Sequence, residues 1–115
     1  MSYDLRVGVK VEGTDIIYPI ATPDYDSPTY NMGKMLRVAT VWEFEQCKYY
    51  NCAEVIHNIE HGIRELQDKP GLYRKYEPSN SLVYVESAVE ALVSLRECIY
   101  NTAEEVPMKN LYVAW

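Results

Sequence analysis

Residues 3–21 read YDLRVGVKVEGTDIIYPIA, and this stretch decides the fold. Leu5, Val7, Val9 and Val11 alternate with Asp4, Arg6, Gly8 and Lys10. A period of two over nine residues predicts a strand with one apolar and one solvated face. Glu12-Gly13-Thr14-Asp15 predicts a turn, because Gly13 takes positive φ without a steric penalty. Ile16 to Ala21 is a second β-rich run, so the stretch is a hairpin. Pro19 has no N–H to give a ladder, which predicts an edge strand or a bulge there.

A two-stranded hairpin cannot hide its apolar face alone, so the rest of the chain must cover it. Leu111-Tyr112-Val113-Ala114-Trp115 is a short final strand expected to join the hairpin. Three helices are expected between them. The first should run from about Pro28 to Ala39, with Ser27 as N-cap, Pro28 at the first helical position and Met32, Met35, Leu36 and Ala39 at helical spacing. Gly33 inside it costs about 1 kcal/mol against Ala, which suggests close approach of another backbone or a ligand or, more commonly, a tight helix–sheet contact. Thr40 to Lys48 is expected to be a helix tail followed by a loop. The second helix opens at Asn51, with Glu54 at capping-box spacing, and carries the stripe Cys52, Ile56, Ile59, Ile63, Leu66 until Pro70-Gly71 stops it. Leu72 to Asn80 reads as a connection. The third helix should run from about Leu82 to Glu104, with Val85, Ala88, Val89, Leu92, Leu95 and Ile99 on one face. The expected fold is a single α+β domain over 1–115: a small antiparallel sheet of hairpin plus C-terminal strand, packed with three helices in the order ββαααβ.

Bulk properties exclude several function classes. At 115 residues the chain is long enough for one core without staples. No apolar run reaches the roughly 18 residues of a membrane span, and the N-terminus lacks a basic region followed by an apolar one. A cytoplasmic location and no membrane partner are therefore expected. The net charge of −6 repels phosphate backbones, so nucleic acid is not an expected partner. Three cysteines make an odd count, which fits reduced thiols. Eleven tyrosines against one Phe are unusual; Tyr buries a large apolar body but keeps a polar tip, which suits wet pockets and interfaces.

Chemistry-bearing patterns are few. Cys47, Cys52, His57 and His61 lie close in sequence, and His57/His61 are spaced i, i+4 as in some zinc helices. Cys52 belongs to the apolar stripe while the histidines lie on a flank, so one ion could not readily take both; His57 and His61 are weak metal candidates and no metal or other cofactor is expected. HNIEH lacks the glutamate placement of a zinc protease. Cys98 falls near an apolar helix face, and no nucleophile elbow or phosphate loop is present. No catalytic residue is assigned, and a binding protein is expected ahead of an enzyme.

A ligand pocket has more material. The first-turn N–H groups after Pro28 form an anion site. Tyr25, Tyr30, Tyr49 and Tyr50 offer rings and hydroxyls, Asn31 and Asn51 offer amides, and Lys34 and Arg37 offer charge for phosphate. These eight residues are the candidate site. Each also has a purely structural use: Asn51 as a cap, Tyr30 as core, Arg37 as a solvated helix residue.

SPTYNMGKMLR at 27–37, Trp42, YYNC at 49–52, GIREL at 62–66 and LYVAW at 111–115 together resemble a group of small proteins encoded by phages and prophages. The resemblance spans Tyr3 to Trp115; Cys47 follows Gln46 where the group carries Gly. It identifies a source and not a chemistry. Small acidic phage accessory proteins often counter host defence, some by sequestering nucleotide signals in pockets between subunits of compact α+β homo-oligomers. By this resemblance the expected function is non-catalytic sequestration of a nucleotide-derived immune signal. The alternatives are an inhibitor that caps a host defence protein directly, and a nucleotide-cleaving enzyme using His57 or His61. A homo-oligomer, dimer or higher, is expected, since an open sheet edge invites pairing.

Overall fold

A computed structural model describes residues 4–25, 33–40, 49–77 and 84–114, with the backbone alone for Lys34 and Tyr84. Among these residues four strands form one antiparallel sheet: β1 (Arg6–Lys10), β2 (Ile17–Ala21), β3 (Tyr49–Asn51) and β4 (Leu111–Ala114), in the order β2-β1-β4-β3. Three helices of eight or more residues cover it, α1 (Gly33–Thr40), α2 (Cys52–Asp68) and α4 (Tyr84–Thr102), with a one-turn helix α3 (Pro70–Tyr73) between the last two. The chain is thus α+β, as its periodicities require.

The hairpin forms as its alternation dictates. Gly13 closes the turn at φ 77°, and the Thr14 hydroxyl donates to the Val11 carbonyl and accepts from the Ile16 N–H. Pro19 sits on an edge strand, and the register shifts beside it: Gly8 pairs with Pro19 but Val7 pairs with Ala21, so Ile20 is the extra residue. The bulge brings the β2 backbone against β1 so closely that a Cβ on Gly8 would lie 2.0 Å from the Tyr18 carbonyl oxygen. Only glycine fits there.

The last strand joins the hairpin in the middle of the sheet, Arg6 to Ala114 through Val9 to Leu111. It is flanked on its other side by an unexpected strand: Tyr49–Asn51, which lies between the loop expected to end at Lys48 and the helix expected to open at Asn51, pairs with Ala114, Val113 and Tyr112. Three residues are too few to show an alternation, and the pairing is supplied by the free edge of β4. The helix stop expected at Pro70-Gly71 and the connection expected over Leu72 to Asn80 are also more ordered, as far as Glu77. Pro70 starts α3 instead of opening a loop, since its fixed φ suits a first helical turn, and a 3₁₀ turn follows at Arg74–Tyr76. Arg74 then ties this segment to α4, reaching Glu77 at 3.4 Å and Glu86 at 2.7 Å, while the Glu77 carboxylate accepts the Val85 N–H at the start of α4.

The core lies between the helices and one face of the sheet. Val7, Val113 and Leu111 from the strands meet Met35, Leu36, Ile59, Leu66, Leu92, Leu95 and Ile99, each at most 2% exposed. Each such side chain contributes roughly 1.5–3 kcal/mol. At the crossing of the helices sits Gly62, whose Cβ would lie 2.5 Å from the Thr40 methyl and 3.2 Å from Leu92 Cδ1. The helix gives up about 1 kcal/mol of propensity so that α1 and α4 can both approach α2. Ser27, Pro28, Trp42, Cys47, Trp115 and the starts expected for the first and third helices, 28–32 and 82–83, lie outside the described residues. Among the described residues no helix is long and apolar enough to cross a membrane.

Candidate functional site

Of the eight candidate ligand residues, the five with described side chains, Tyr25, Arg37, Tyr49, Tyr50 and Asn51, are spread over both faces of the sheet and the helices packed on it. Tyr30 and Asn31 lie outside the described residues, and of Lys34 only the backbone in α1 is described. Tyr25 packs against the core, with its N–H donated to Ser94 Oγ at 2.8 Å. Arg37 is half-buried on α1. Tyr49 and Tyr50 are successive strand residues, so they point to opposite faces of the sheet. Tyr50 packs against the helix-side core, whereas Tyr49 reaches the open face. Asn51 is occupied as a cap: its Oδ1 accepts the Ala53 N–H at 3.0 Å and its Nδ2 donates to the Lys109 carbonyl at 2.8 Å. It fixes the start of α2 to the turn before β4.

The open face instead gathers groups from distant parts of the chain. The Tyr49 hydroxyl donates to Asp15 Oδ1 at 3.0 Å. Lys10 Nζ lies 3.7 Å from the same carboxylate oxygen and 5.1 Å from the centre of the Tyr49 ring. Tyr112 meets Tyr49 edge to face, with ring centres 5.6 Å apart and planes at 88°. Register places Gly8, Tyr112 and Asn51 level across β1, β4 and β3 and Tyr49 level with Ala114 and Arg6, so the Tyr49 side chain leans along the open face to meet Tyr112, Lys10 and Asp15. Contact with the Tyr49 hydroxyl, above all, holds the Lys10 ammonium above its ordinary range, aided by the nearby Asp15 charge. The result is a solvent-facing pair of rings with a cation and an anion fixed beside them.

Lys10, Asp15 and Tyr112 did not enter the sequence-based site. Their signal was the alternation itself, which puts Lys10 on the solvated side of β1 and Tyr112 between the inward Leu111 and Val113. No sequence feature shows that Tyr49 arrives beside them.

The titratable groups elsewhere are placed for structure. Cys52 is fully buried at the start of α2, and burial pushes its thiol up to about 12. Cys98 is half-buried and likewise raised, first by burial and also by the charge of Asp24. It lines a cleft of about 200 Å³ between α4 and the end of β2, together with Asp24, Ser94, Glu97 and Thr102. His57 and His61 are both exposed on α2, and His61 Nε2 lies 3.8 Å from Glu65. Cys52 and the histidines therefore occupy separate surroundings, one in the core and two in solvent. Among the described residues no three His, Cys, Asp or Glu side chains group as a metal site. Tyr100 donates to Glu60 at 2.7 Å, a bond between α4 and α2 at the surface.

Comparison with protein-family models, with curated proteins and with solved structures finds no match to this chain.

Proposed function

We propose that the protein is a non-catalytic binding protein, of phage origin, that sequesters a small nucleotide-derived signal of bacterial immunity. The observation that supports this best is the open-face cluster of Tyr49, Tyr112, Lys10 and Asp15. A nucleobase needs a flat apolar surface, and base–tyrosine stacking contributes about 1–3 kcal/mol per base. A phosphate needs a cation held in place, which Lys10 supplies. A ribose hydroxyl needs an acceptor, which Asp15 supplies when Tyr49 turns to the ligand. The sequence resemblance supplies the biological setting.

Calorimetric titration with cyclic dinucleotides and with linear and cyclic ADP-ribose tests the reading. One of these ligands should bind, should be recovered chemically intact, and should bind about tenfold or more weakly to Tyr49→Ala and to Tyr112→Ala. Binding of none of them, or recovery of cleaved ligand, would sink it.

A further inference from the structure

We infer that β2 is a self-association edge, and that two copies join through it antiparallel about a two-fold axis at Ile17. β2 ends the sheet, and two helix-side residues at its turn end are exposed. Tyr18 pairs with Val9, and the Ile16 carbonyl accepts the Val11 N–H at 2.8 Å. Ile16 and Tyr18 therefore share the face that buries Val7 at 0% exposure, yet they stand 63% and 65% exposed. α4 approaches the other end of β2, where the cleft lined by Ala21, Asp24 and Ser94 opens. The apolar layer thus continues past the last helix into solvent.

The occupant follows from the ladder. Hydrogen-bonded positions alternate along an antiparallel strand. Counted from the bonded Val11–Ile16 pair, Tyr18 turns its N–H and C=O inward to β1. Ile17 and Pro19 turn theirs outward, and Pro19 offers only its carbonyl. Ile17 is then the outward residue between the turn and the bulge with both groups to give. A two-fold axis through it makes two reciprocal N–H···O=C bonds between copies. The same register sets Ile16 against Tyr18 of the second copy, and Tyr18 against its Ile16. These are non-hydrogen-bonded pairs, where cross-strand side chains approach most closely. Thr14 falls opposite Ile20 and Asp15 opposite Pro19, so no acid meets an acid although each copy carries −6. A different protein would have to supply this match; a second copy already has it. The apolar surface hidden is modest, on the order of 400 Å² per copy, which fits a reversible dimer and not an obligate one.

Sedimentation velocity of the ligand-free full chain over a wide concentration range tests the inference. The wild type should pass from monomer to dimer as concentration rises. Ile16→Glu and Tyr18→Lys should each weaken the dimer at least about tenfold, because each sets charges against apolar side chains in one interface. Both sites are exposed, so circular dichroism should show the fold unchanged. An equimolar mixture of the two variants should recover association, since one variant's carboxylate then faces the other's ammonium. A wild type that stays monomeric throughout would overturn the inference and leave the edge to a different partner. A dimer indifferent to both variants, or two weakened variants that mixing does not restore, would overturn it equally. The test contains no nucleotide, so its failure leaves the ligand reading standing.

Discussion

The two ends of the sheet's helix side carry the same kind of residue and meet opposite fates. Val7 and Val113 are fully buried beneath the helices, whereas Ile16 and Tyr18, on the same face of the same sheet, are mostly exposed. The difference is coverage, not chemistry. α2 packs on β4 and α4 on β1, with α1 laid against α2 where Gly62 lets the helices cross closely, while Ile16 and Tyr18 at the turn end of β2 stay exposed. One end therefore carries the stability of the fold, and the other is free to carry interactions. The two faces of the β4 end repeat the contrast: Leu111 and Val113 look into the core while Tyr112 joins Tyr49 and Lys10 in solvent.

If this division holds, substitutions should separate cleanly by region. The largest loss belongs to the covered end. Leu95→Ala leaves a cavity among fully buried neighbours and should cost about 3–5 kcal/mol in chemical denaturation; a loss below about 1 kcal/mol would mean the core is not packed as described. Nearly as large is an alkaline effect at Cys52. Its thiol is raised from 9.0 to about 12, so the folded state holds the proton more tightly than the unfolded chain does. That contribution is complete below about pH 9 and is lost as pH rises toward 12, a range on the order of 3–4 kcal/mol. Cys52→Ala should flatten this part of the stability–pH curve, leaving the contributions of Cys98 and Tyr73, also raised by burial, and of Lys10 and Tyr100, raised by their hydrogen bonds.

Gly62→Ala sharpens the comparison at the helix crossing. Alanine improves helix propensity, but its methyl meets Thr40 and Leu92. The clash should win and leave the protein about 1–2 kcal/mol less stable by thermal unfolding. Stabilisation would show that the helices do not need so close an approach. Asn51→Ala removes the cap on α2 and the bond to Lys109, and should cost about 1–2 kcal/mol. The smallest effect belongs to the bare end: Tyr18→Ser should change monomer stability by less than about 0.5 kcal/mol. A loss several times larger would erase the distinction between the two ends.

The elements legible in the sequence were those long enough to display a period. Leu5 to Val11 alternates over a full strand, and the stripes from Cys52 to Leu66 and from Val85 to Ile99 run about four turns. Pro19 announced both the edge and the bulge. β3 was illegible because three residues carry no period and its partner lies far along the chain, at Tyr112 to Ala114. The candidate site suffered for the same reason. Tyr49, Tyr50 and Asn51 look like one cluster in sequence, but strand geometry sends the two rings to opposite faces and the helix takes the amide as its cap. Lys10 and Asp15 meet Tyr49 only because three strands distant in sequence share one face and the Tyr49 side chain leans along it, which no local pattern encodes.

The open face is the centre of the functional account, and native mass spectrometry addresses it most directly. Wild-type protein and a Tyr49→Ala/Tyr112→Ala variant would be incubated with a pool of cyclic dinucleotides and ADP-ribose derivatives. The account predicts that the wild type retains a species of nucleotide mass, released unchanged on denaturation, and that the variant, though folded, retains none. A wild type that emerges empty from every nucleotide, or a variant that holds the ligand as well as the wild type, would contradict it.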